Sequence, residues 1–144
     1  MKWTLLVGIL LPMTSFALCP DLAGSYSCLS RQGKLGEIIQ KEKRGVTTYQ
    51  IKMSDGQDFE YIADGNLRDL PDTPGMVDNT LKVDCFENKI EVETNSNAAD
   101  KKKVVGPVSY QQIFEALDDG LLIKTSGNFL GSAIPEEQEK CIRL

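Results

Sequence analysis

The chain contains no histidine, only one tryptophan, Trp3, and four cysteines among its 144 residues. Without imidazole neither a Ser-His-Asp nor a Cys-His catalytic arrangement can be built. The cysteines, Cys19, Cys28, Cys85 and Cys141, include no Cys-x-x-Cys pair, so a zinc site lacks both its usual ligands and their spacing. Long apolar runs are scarce too. The one present, Leu5 to Met13, is well short of the roughly 20 residues that span a bilayer. With Lys2 before it and Ser15-Phe16-Ala17 after it, this run reads as a secretory signal peptide cut after Ala17. A lipoprotein signal acting on Cys19 would want a small residue before it, where this chain has Leu18.

Positive charge is in deficit as well. Lys2 is the only charge in residues 1–17, so the expected mature chain, residues 18–144, keeps 15 of the 16 basic residues against 21 acidic ones, net −6. This balance argues against nucleic acid and anionic membranes, both of which attract a positive surface. Four cysteines retained in an exported chain imply two disulfides in an oxidising compartment, secreted or periplasmic. The length suits one domain with a single core.

What the sequence has in quantity is alternation. Gly24, Tyr26 and Cys28 fall on one face of a short strand, with Ser25, Ser27 and Leu29 on the other. A turn at Arg31 to Lys34 leads to a second strand, Glu37 to Lys43. Arg44-Gly45 then forms a tight hairpin into Val46 to Met53, where Tyr49, Ile51 and Met53 alternate with Gln50 and Lys52. Ser54-Asp55-Gly56-Gln57 is a further turn, followed by a strand with Phe59, Tyr61 and Ala63 on one face. Asp64 to Asn79, with Pro71, Pro74 and two glycines, reads as a loop. Asp64, Asn66, Asp69 and Asp72 offer oxygen ligands there, but not at calcium-loop spacing, and a solvated acidic loop is the plainer reading.

Leu81, Val83 and Cys85 turn at Glu87-Asn88 into Ile90 and Val92, the clearest hairpin in the chain. Asn95 to Lys103 reads as a polar tip guarded by lysines. Residues 107–117 fit a helix through Tyr110, Ile113, Phe114 and Leu117, or a strand through Val108, Tyr110, Phe114 and Ala116. The Asp118-Asp119-Gly120 turn into Leu121, Ile123 and Thr125 favours the strand. Gly127 to Ile134 reads as another short strand, Pro135 to Glu139 as a polar turn, and Lys140 to Leu144 as the last strand. Eight or nine short strands without a long helix imply an all-β antiparallel barrel, or alternatively a two-sheet sandwich.

Chemistry without histidine would fall to paired carboxylates. Glu91 and Glu93 face away from the core and Asp118 and Asp119 sit in a turn, so nothing singles out a pair, and no enzyme, cofactor or metal is expected. The tyrosines carry more information. Tyr26, Tyr49, Tyr61 and Tyr110 all fall on apolar strand faces, and buried phenols need partners. They read either as core residues bonded to backbone or as the lining of a site for a small, largely apolar ligand.

Leu22-Ala23-Gly24-Ser25-Tyr26, opening a meander of strands, resembles the Gly-x-Trp strand that begins the lipocalins, with Tyr26 where that family has tryptophan. The resemblance spans about these five residues and the strand count. It implies an up-and-down barrel of about eight strands with an internal site for a small apolar molecule, and an arginine, here Arg143, packed across the aromatic ring. Function is therefore expected to be extracytoplasmic ligand binding. The alternative is a filled core whose outer surface acts as an interaction or inhibitor protein.

Disulfide pairing follows from strand order. Cys19 and Cys28 are too far apart in an extended segment to bond without a fold-back, since a disulfide needs Cα atoms within about 7 Å. A last strand antiparallel to the first is expected to bring Cys19 to Cys141, leaving Cys28 for Cys85.

Overall fold

The computed structural model describes residues 18–29, 35–101 and 103–144. The expected signal peptide, residues 1–17, and the turn expected at Arg31 to Lys34 lie outside the described residues. Ten strands are present among them: β1 (Gly24–Cys28), β2 (Leu35–Lys43), β3 (Val46–Met53), β4 (Asp58–Ala63), β5 (Arg68–Asp69), β6 (Met76–Cys85), β7 (Lys89–Asp100), β8 (Lys103–Leu117), β9 (Gly120–Phe129) and β10 (Ser132–Arg143). All ten belong to one antiparallel sheet in the order β4-β3-β2-β1-β10-β9-β8-β7-β6-β5. The sheet curls into a half-barrel, and the two-sheet sandwich is not formed.

Chain neighbours pair throughout except β4 and β5, which lie at the two edges of the sheet. β1 lies between β2 and β10 and so joins the first strand to the last, with Tyr26 opposite Arg143 and Cys28 opposite Cys141. At the far edges of the sheet Gly65 N donates to Val83 O at 2.9 Å, which ties the end of β4 to β6.

Period-two alternation decides which residues turn inward. Tyr26, Ile38, Tyr49, Val83, Ile90 and Leu121 are buried at the centre of the curl, with Phe114 and Cys141 beside them. Each such side chain contributes about 1.5–3 kcal/mol by leaving water. The curl also needs small residues. Gly24 has φ +154, and a Cβ there would lie 3.3 Å from Arg143 Nε, so the arginine rests against bare backbone. At Gly127 a Cβ would meet Ser109 O at 2.4 Å, and only glycine fits.

Residues 107–117 form the favoured strand and not the alternative helix, because β8 hydrogen-bonds to β7 and β9 along its length. Three other local expectations differ from the structure. The loop expected at Asp64 to Asn79 holds β5 and the start of β6. Asn79, buried, donates through Nδ2 to Pro71 O and Met76 O and so folds the proline-rich segment onto β6. The polar stretch Asn95 to Lys103 continues β7 to Asp100 and begins β8. Its side chains pair across to β6, as Asn97 with Asp78, and along β7, as Asn95 with Glu93. Finally, Pro135 to Glu139 is strand: the register shift between Ile134 and Glu137 takes up Pro135, which has no N–H to offer the ladder.

The disulfides are Cys19–Cys85, with Cα atoms 5.0 Å apart, and Cys28–Cys141, which corrects the expected pairing. The antiparallel neighbourhood of β1 and β10 is as expected, but its register sets Cys28 against Cys141 and puts the position opposite Cys19 past the end of the chain. Cys19 precedes the strand and instead crosses the mouth of the curl to the end of β6. Two disulfides suit an oxidising, extracytoplasmic environment. No helix among the described residues is long and apolar enough to cross a membrane.

Candidate ligand cavity

One end of the curl is stoppered by the segment before β1. Pro20 and Leu22 are buried there, and the Cys19–Cys85 bond fixes the segment to β6. Polar contacts hold it from inside: Tyr49 Oη donates to Pro20 O at 2.7 Å, Tyr26 Oη donates to Leu22 O at 2.8 Å, and Leu22 N donates to Gln40 Oε1 at 3.0 Å. Arg143 adds the outer layer. Its Nη2 donates to Asp21 O at 3.2 Å and to Tyr26 Oη at 3.1 Å, while the guanidinium lies 5.7 Å from the Tyr26 ring centre.

Beyond the core, toward the other end, the sheet curves around a half-open cavity of about 870 Å³. Its floor is apolar, built from Ile51, Phe114 and Ile123, with Leu35, Met53 and Phe59 rising from it. The polar part of the lining is Gln57, Gln112, Thr125, Glu137, Gln138 and Glu139. Ladder pairing places Glu137 opposite Thr125 and Glu139 opposite Ile123, so both carboxylates stand on the face that carries the floor.

The four tyrosines do not converge on this cavity. Tyr61 lines it, donating to Gln112 Oε1 at 3.4 Å and meeting the Phe114 ring at 6.2 Å between centres. Tyr26 and Tyr49 belong to the stopper. Tyr110 stays on the inward face of β8 but is 40% exposed, because β7 to β10 run beyond the curl and its partner Gly127 has no side chain to cover it. Burial pushes the Tyr49 phenol well above its ordinary range, helped by the charge of Asp21, and burial likewise raises Tyr61.

Most of the carboxylates weighed in the sequence have local partners. Asp64 accepts from Arg68 at 2.6 Å, and this hydrogen bond holds its carboxyl far below the usual range. Asp72 accepts from Asp78 N, Glu91 pairs with Lys89, and Asp119 pairs with Lys140. Among the described residues one group, Cys28, Glu139 and Cys141, has metal-ligating atoms close together. Both of its sulfurs are spent in a disulfide.

Sequence reasoning missed most of the lining. Met53, Phe59, Phe114 and Ile123 could be read as inward-facing, but nothing local separates a residue over a void from one in packed core. Glu137 and Glu139 were hidden because Pro135 made their segment read as a turn. The chain matches no protein-family model, no curated protein and no solved structure.

Proposed function

We propose that the protein is an exported, non-enzymatic binding protein of lipocalin type, which holds a small, largely apolar molecule in the cavity between β2, β3, β4, β8, β9 and β10. The observation that carries this reading is the cavity: its volume of about 870 Å³ lies in the range of ligand sites, roughly 300–1,000 Å³. It has an apolar floor and a few polar groups on one wall. The stopper supports it, since a curl plugged at one end and lined at the other is a cup. The lipocalin comparison rests on Gly24, Tyr26 and Arg143, whose mutual packing matches what that resemblance implies.

A second reading, action through the outer surface, has the exposed Val104, Val105, Phe129 and Leu130 in its favour. These flank the β7–β8 and β9–β10 connections, and Leu130 N donates to Pro107 O, so they lie close together. Dye titration separates the two. An environment-sensitive apolar dye should bind saturably to the wild type, and Thr125→Trp, which fills the cavity from β9, should abolish binding while leaving the circular dichroism of the sheet unchanged. No saturable binding to the wild type, or equal binding to the filled variant, favours the surface reading.

A further inference from the structure

We infer, resting on the cavity reading above, that the ligand is longer than the cavity: a single elongated apolar molecule whose inner part covers the floor and whose outer part lies along an aromatic shelf on β8, β9 and β10. The inward face of these strands does not stop at the cavity rim. Phe114 pairs with Ile123 and Gln112 with Thr125 inside the cavity, and the same face continues outward through Tyr110 with Gly127 and Val108 with Phe129. The opposite wall ends at the rim, where Leu35 and Met53 pair and line the cavity themselves. Tyr110 and Phe129, next outward, are left 40% and 41% exposed.

Two departures from regular strand build the shelf. At Gly127 an added Cβ would meet Tyr110 Cδ1 at 3.1 Å as well as Ser109 O, so glycine lets the Tyr110 ring lean over β9 instead of standing away from it. On β10, Ile134 pairs with Gly127 and Glu137 with Thr125. Residues three apart in a regular strand face opposite sides. The register shift between Ile134 and Glu137 puts both on the inward face and so brings an isoleucine to flank Tyr110 across Gly127. Tyr110, Ile134, Phe129 and Ser132, which is opposite Phe129, give the shelf no charge, so the part of the ligand lying there is apolar. Covering it removes from water apolar surface that the protein alone leaves exposed. Ile123 on the floor and Phe129 at the end of the shelf are the extremes of this path in β9, and extended strand of that length measures roughly 20 Å, which sets the length of the ligand.

The protein lacking residues 1–17 contains no tryptophan, because Trp3 is the only one in the chain, so Tyr110→Trp places a single fluorescent reporter on the shelf. Two probes of different length, octanol and tetradecanol, are titrated against the apolar dye. Dye displacement reports the cavity and tryptophan emission reports the shelf. Both probes should displace the dye, but only tetradecanol should shift the emission to the blue and protect it from iodide. In Phe129→Ser, tetradecanol should lose about tenfold in affinity while octanol is unchanged. Should Tyr110→Trp fail to fold, Phe129→Trp, at an exposed position, carries the same reporter. Dye displacement by both probes with no change in emission, or with an equal change, overturns the shelf and leaves the cavity reading standing. A reporter shielded without probe and uncovered by dilution shows a second copy of the chain on the shelf, and overturns the inference likewise. Displacement by neither probe overturns the cavity reading itself.

Discussion

The guanidinium of Arg143 lies across the ring of Tyr26, 5.7 Å from its centre, and donates to the Tyr26 hydroxyl at 3.1 Å. The same hydroxyl donates to Leu22 O, so one phenol joins the last strand, the first strand and the stopper. Arg143→Ala is expected to cost about 1–3 kcal/mol in urea unfolding, from the lost charged hydrogen bond and ring contact. Arg143→Lys should recover only part of this, since an ammonium cannot lie flat on the ring while bonding Asp21 O and Tyr26 Oη together. Equal stability of wild type and Arg143→Ala would falsify the closure role.

The disulfides make a second prediction. Non-reducing peptide mapping should yield the Cys19–Cys85 and Cys28–Cys141 peptides and no alkylated cysteine before reduction. The bonds span 66 and 113 residues, and in the chain-entropy model loops of this length stabilise by about 4–5 kcal/mol each, an upper figure. Reduction should therefore lower the unfolding midpoint strongly. Replacing Cys19 and Cys85 by alanine should also loosen the stopper, seen as faster amide exchange at Leu22.

Tyr49 and Tyr61 should respond differently to loss of the hydroxyl. Tyr49→Phe strands the buried Pro20 carbonyl and should cost about 1–3 kcal/mol, without altering dye binding. Tyr61→Phe frees Gln112, which can turn to water in the cavity, so its cost should stay below about 1 kcal/mol while dye affinity changes. Thermal unfolding and dye titration of the two variants check this. The reverse pattern would move the binding site to the stoppered end.

Alkali should unfold the protein through these same two phenols. In the unfolded chain tyrosine ionises near pH 10, whereas burial raises both Tyr49 and Tyr61 in the folded state. Above about pH 10 the folded state therefore holds more protons than the unfolded one, so the contribution is whole below that pH and is lost as pH climbs toward the raised folded values. Urea midpoints measured on the alkaline side should fall, and less steeply in Tyr49→Phe. Tyrosinate absorbance should show two phenols resisting titration until the sheet opens.

Much of the fold is legible in local sequence because turn chemistry and alternation are local properties. Arg44-Gly45 and Ser54 to Gly56 turn where their residue types indicate, and Tyr49, Ile51, Val83, Ile90 and Leu121 all face inward as their spacing demands. The failures have another origin. Pro135 marks a turn in most contexts, yet here a register shift absorbs it, and that shift is set by the pairing of β10 with β9. The cysteine pairing depends on where the β1–β10 ladder begins, a property of two segments more than a hundred residues apart. The cavity is more remote still, being the volume left when six strands curl, and Tyr26 and Tyr61 have similar surroundings in sequence but opposite fates.

The insertion of β1 between β2 and β10 has a consequence for the protein's biogenesis. A chain that emerges N-terminus first presents β1 long before β10 arrives, and hairpins from β2 onward can form while the central seam stands open. During that interval Tyr26 has no Arg143, Cys28 has no Cys141, and one edge of β1 is free to accept a foreign strand. Completion waits on a contact of very long sequence separation, the kind that slows folding. Loss of even the last few residues would hold molecules at this stage, so intact C-termini should be enriched in the soluble fraction and trimmed ones in aggregates.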